Sequence, residues 1–64
     1  MKYSNLILEL ISAGCFLKRS GARHDIWYSP ITERIFPIPK HGSKEVPQGT
    51  EQNIRKLSGV QKNK

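Results

Sequence analysis

With one cysteine, Cys15, the 64-residue chain has no internal disulfide to staple it, and Cys15, His24 and His41 do not fall at zinc-ligand spacing. Two usual supports of very small folds are thereby excluded, and a domain of this size buries only about 60% of the surface its unfolded chain exposes. Packing has to hold a thin core together. Long apolar runs are also missing. The segment NLILELISAG is too short to span a bilayer and carries Glu9, while MKYS lacks the strongly basic start of a signal peptide. The expectation is a cytoplasmic protein with no membrane partner. There is no internal repeat, no phosphate-cradling glycine loop and no carboxylate pair of the kind that acid-base hydrolases use. Acidic residues are scarce as well: five Asp and Glu face eleven Lys and Arg, a formal charge of +6. So large an excess on a small surface calls for an acidic partner, most commonly nucleic acid, although an acidic protein or an anionic membrane meets the same electrostatics.

What is present has clear periodicity. Tyr3, Leu6, Ile7, Leu10 and Ile11 fall on one helical face, which predicts a helix from about Ser4 to Ala13, capped by Ser4 or Asn5 and stopped by Gly14. CFLKR then reads as a short strand, SGAR as a turn and HDIWYS as a second strand, together a hairpin. Alternation along the second strand puts His24, Ile26 and Tyr28 on one face, with Asp25, Trp27 and Ser29 on the other. In RIFPIP, Pro37 and Pro39 cannot donate ladder hydrogen bonds, so this third strand belongs at an edge. Val46, Thr50, Ile54 and Leu57 predict a second helix that begins near Pro47 or Thr50 and ends at Gly59, with Val60 folding back on Leu57. The expected architecture is α+β, in the order helix, three-stranded antiparallel sheet, helix. Both helices would cover one sheet face and leave the other open. One domain over residues 1–60 and a basic C-terminal tail over residues 61–64 complete the outline.

His24 closes the hairpin turn and is the first candidate for chemistry. A lone histidine at a strand end is most simply a solvated polar residue. Here, however, Lys18, Arg19 and Arg23 are close in sequence, and a hairpin would gather them where a phosphate could dock. Histidine exchanges protons near neutral pH, which RNA strand scission requires. His41, flanked by Lys40 and Lys44, reads as a loop residue able to contact phosphate. Trp27 and Tyr28 are possible base-stacking surfaces, but only on an open face, and Trp27 is assigned to the core. Cys15 reads as a small buried hydrophobe.

GARHDIWYSP, followed by FPIPKHGSKEVPQGT and a helix ending at Gly59, resembles the HicA family of bacterial toxins, the YcfA-like mRNA interferases. The resemblance rests on Gly14, Gly21, His24, Trp27, the run from Ile38 to His41, and Gly49 with Thr50, and it covers nearly the whole chain. It implies a fold like a double-stranded RNA-binding domain, cleavage of mRNA, neutralisation by a HicB-type antitoxin, and a functional histidine that corresponds to His24. The chain departs from the family where the commoner Gly-Ser-His turn is replaced by Gly21-Ala22-Arg23-His24. It departs again at Glu51 and Arg55, which occupy positions that are frequently apolar.

The reading that follows is a metal-independent endoribonuclease with no cofactor. His24 would be catalytic, and Lys18, Arg19, Arg23, Lys40, His41 and Lys44 would hold the RNA backbone. An antitoxin acidic at its contact would restrain it. The alternatives are a non-catalytic RNA-binding domain of double-stranded RNA-binding type and a basic protein that binds only an acidic protein.

Overall fold

A computed structural model describes residues 1–40 and 42–61. Helix α1 spans Tyr3–Ser12, strands β1, β2 and β3 span Phe16–Ser20, His24–Ser29 and Arg34–Pro39, and helix α2 spans Gln48–Ser58. The strands form one antiparallel sheet in the order β1-β2-β3. The α-β-β-β-α order read from the sequence is the order observed. Among the described residues no helix is long and apolar enough to cross a membrane.

One side of the sheet carries the whole core. Tyr3, Leu6 and Leu10 from α1, Ile54 from α2 and Val46 and Val60 beside it close over Cys15, Trp27, Phe36 and Ile38. Each of these side chains leaves water, at roughly 1.5–3 kcal/mol for a large apolar group, and few others are available to do so. Trp27 and Cys15 are thus core residues, as their types suggested. Ile11 is not: although it shares the period of Leu10, it is half exposed, because α1 turns only a narrow stripe toward the sheet.

The helix ends show where local and distant contacts divide the work. At the C-terminus of α1 the Gly14 N–H donates to the Ile11 carbonyl at 3.0 Å and the Cys15 N–H to the Leu10 carbonyl at 2.9 Å. Gly14, at φ +100°, permits this reversal, and Cys15 enters the core beside Leu10 as the chain doubles back. The N-terminus differs from expectation. Lys2 is the cap and makes no side-chain capping bond, so neither Ser4 nor Asn5 serves. Instead the Tyr3 and Ser4 N–H groups donate to the carbonyls of Lys44 and Gly42, both at 3.0 Å. The connection between β3 and α2 therefore satisfies the orphan donors of α1.

The end of α2 is held by the β2–β3 turn. Ser29 donates its hydroxyl to the Ser58 carbonyl, and Thr32 donates to the Leu57 carbonyl at 2.6 Å. Glu51 and Arg55, the two polar departures in this helix, tie it to α1. Arg55 donates from Nε to Glu51 at 2.8 Å and from Nη2 to Glu9 at 3.1 Å. Burial opposes the Arg55 charge, but hydrogen bonds and attraction from Glu51 and Glu9 outweigh it and raise the guanidinium pKa above its ordinary value.

Gly59 meets two demands at once: its φ is +74°, and an added Cβ would lie 2.8 Å from Ile31 Cγ2 and 2.9 Å from Thr32 Cγ2. Gly49 meets neither, since it has open space where a Cβ would stand. Gly59→Ala is expected to cost about 1–3 kcal/mol in urea unfolding, whereas Gly49→Ala should be neutral or add up to about 0.5 kcal/mol from helix propensity. Equal effects at the two positions would contradict this account of the α2 terminus.

Candidate functional site

The site begins with a turn that only glycine fits. Gly21 donates its N–H to the His24 carbonyl at 3.0 Å. A Cβ on Gly21 would lie 2.5 Å from that same oxygen, closer than real Cβ atoms approach. Among the described residues positive φ occurs only at Gly14, Glu33 and Gly59, so the turn needs Gly21 for room and not for a left-handed backbone. His24 follows at the start of β2, exposed, opposite Pro39 of β3. The Lys40 N–H reaches across to the Arg23 carbonyl at 3.3 Å and extends the ladder past the strand end.

Register fixes the two faces. Tyr28 pairs with Phe16 and Ile35, Ile26 with Arg19 and Pro37, and His24 with Pro39. These share the face that the helices leave uncovered. On the other side Trp27 pairs with Leu17 and Phe36, and Asp25 with Ser20 and Ile38. The division of β2 into two faces is the one its alternation predicted.

The register of β1 shifts between Leu17 and Arg19, leaving Lys18 as the extra residue of a β-bulge. In a regular strand Lys18 and Arg19 would point to opposite faces. The bulge brings both to the open face, where Lys18 Nζ lies 5.6 Å from the Tyr28 ring centre and Arg19 lines a shallow depression with Lys18, Ile26 and Ile35. It also reverses Ser20, which now meets Asp25 on the helix side.

There Ser20 donates its hydroxyl to Asp25 at 3.0 Å and accepts a hydrogen bond from Lys40 Nζ at 2.9 Å, while Lys40 Nζ lies 3.4 Å from Asp25 Oδ1. This triangle joins the last residue of β1, the second residue of β2 and the residue after β3, so it braces the turn that carries His24. Asp25 and Ser20 were not singled out from the sequence, and the signal that could have found Asp25 is a carboxylate near the start of one strand paired with a strand that a lysine follows.

The six proposed RNA-contacting residues thus separate. Arg23 and Lys40 line one shallow depression with His24, Ala22 and Pro39. Lys18 and Arg19 line another, on the open face, with Ile26 and Ile35. Lys44 is exposed in the segment that leads to α2, with its carbonyl committed to Tyr3. His41 lies outside the described residues. Among the described residues no strand position on the open face is Asp or Glu, so Lys18 and Arg19 share their side of the sheet with no strand carboxylate, whereas Lys40 is paired with Asp25.

The family model described as HicA toxin of bacterial toxin-antitoxin matches residues 3–60. No curated protein and no solved structure matches the chain, so the likeness to double-stranded RNA-binding domains rests on the order of the elements.

Replacing Gly21 with Ala tests whether the turn positions His24. The added methyl group should push the His24 carbonyl away, cost about 1–2 kcal/mol and speed hydrogen exchange at the Gly21 amide. Unchanged exchange at that amide would show that the turn tolerates a side chain.

Proposed function

The chain belongs to the HicA toxin family, and on that premise we propose that it is a metal-independent endoribonuclease that cuts mRNA with His24. The observation that carries this reading is an exposed histidine at the braced end of an open, cationic sheet face. RNA supplies its own nucleophile. The ribose 2′-oxygen forms a bond to the adjacent phosphorus, the bond from phosphorus to the 5′-oxygen breaks, one proton leaves the 2′-hydroxyl and one reaches the departing oxygen. An imidazole beside the scissile phosphate can carry out such proton transfers.

The cations divide this work by position. Arg23 precedes His24 in the chain and shares its depression, so a phosphate bound there would have its developing charge offset by the guanidinium. Lys18 and Arg19 hold the backbone further along the face, and Lys44 is a further candidate phosphate contact. Lys40 braces the turn through Asp25 and Ser20 and gives RNA a weaker hold than an unpaired lysine would. A HicB-like antitoxin, acidic at its contact, would neutralise the toxin by covering the His24 face, since opposite charge steers the partner to the surface that RNA needs.

A non-catalytic module of double-stranded RNA-binding type would use the same charges to hold a duplex by shape, with no call for a histidine at the turn. His24→Ala separates the two readings. His24 is exposed, so the change should alter stability by no more than about 0.5 kcal/mol. Cleavage, assayed with excess chelator present, should fall roughly a hundredfold or more, while RNA affinity stays near the parent value. Cleavage by the folded variant at the parent rate, or activity in the parent that requires a divalent ion, would contradict the proposal.

A further inference from the structure

Phe16 is an aromatic side chain that lies outside the core. It stands on the edge strand β1 with half its surface exposed, on the open face, with its ring centre 5.2 Å from that of Tyr28 and the planes tilted by 39°. Ile35, on the other side of Tyr28, is 54% exposed. A chain with a thin core has left a row of one isoleucine and two aromatic rings in water across all three strands. Beside that row stand Lys18 and Arg19, both brought to this face by the bulge, with Lys18 Nζ over the Tyr28 ring.

Aromatic rings interleaved with cations, on a sheet face with no carboxylate among its described strand positions, match one ligand chemistry better than others: an extended single strand of nucleic acid. Its bases stack on rings and its phosphates take the cations. An acidic protein would satisfy the charges, but it gives no particular use to two adjacent rings with a cation above them.

Resting on the reading of His24 as the cleaving residue, we infer that Phe16 and Tyr28 form a base-stacking subsite for RNA on the open face, set off from the scissile phosphate along β2. The spacing follows from the strand. His24 and Tyr28 are four residues apart on one face, roughly 13 Å at the usual rise, a distance that a short run of extended nucleotides covers. A strand held at its phosphate by Arg23 and His24 would pass Arg19 and Ile26 and set a base against Phe16, with Lys18 beside the intervening phosphate. The subsite restricts the substrate to single-stranded or opened RNA, because paired bases do not present their faces to a sheet.

The test uses the full chain and a short single-stranded 2′-O-methyl RNA, which keeps bases and phosphates but lacks the free 2′-hydroxyl, so that binding is read apart from cleavage. Phe16→Ala should stay folded, with a melting temperature lowered by several degrees through loss of the pair with Tyr28, and, assayed well below that temperature, should weaken binding about tenfold or more, within the range that base-aromatic stacking supplies. An abasic residue moved stepwise along the RNA should weaken parent binding most at one position, and at that position should cost the Phe16→Ala variant little more. Phe16→Trp should retain affinity, and its fluorescence should be quenched when RNA binds. Parent affinity in Phe16→Ala, or an abasic penalty of the same size in the variant as in the parent, would overturn the subsite. So would a loss confined to binding of an acidic protein partner, which would make this face a protein interface. His24→Ala keeps the two claims apart. Normal stacking by a parent protein that does not cut unprotected RNA defeats the nuclease reading alone, and His24-dependent cleavage with no Phe16 effect defeats the subsite alone.

Discussion

One extra residue in β1 organises the functional side of this molecule. The bulge at Lys18 adds a single position to a five-residue strand, and three consequences follow from it. Lys18 and Arg19 share the open face instead of dividing between faces, Ser20 turns inward to Asp25, and Asp25 in turn holds Lys40. The cationic surface and the brace beneath His24 come from the same irregularity. A regular strand with this sequence would give up one of the two.

The opposite face imposes the complementary constraint. A chain this short has apolar residues for one covered side of its sheet, and α1 and α2 pack on that side. The open side is the direct result, free to carry a histidine, cations and half-exposed aromatics. Where the two helices meet, the Arg55, Glu9 and Glu51 network supplies polar contact in place of apolar packing. Lys18 and Arg19 stand where the core is absent.

Much of this was legible in the residues. The helix at α1, the alternation in β2 and the positive φ of Gly14 and Gly59 depend on near neighbours, and each behaves as local chemistry dictates. What escaped depends on distant partners. The Tyr3 and Ser4 donors of α1 are satisfied by Lys44 and Gly42, about forty residues away in the chain, so the fold did not need Ser4 or Asn5 as a cap. Ile11 has the right period but stands beyond the edge of the stripe that the sheet covers. A bulge leaves no mark in composition, and Lys40 looked free for phosphate because nothing in the sequence shows Asp25 folding toward it.

The central claim is that the open face presents RNA to a histidine that moves protons for an attack by the RNA's own hydroxyl. Mass spectrometry of the ends left on a defined RNA tests it most directly, because the identity of the bond broken records the nucleophile. Attack by the 2′-oxygen predicts a 2′,3′-cyclic phosphate, or its hydrolysis product, on one fragment and a 5′-hydroxyl on the other, with both formed roughly a hundredfold or more slowly by the folded His24→Ala protein. A 3′-hydroxyl paired with a 5′-phosphate would mean that water attacked instead, and would contradict the mechanism.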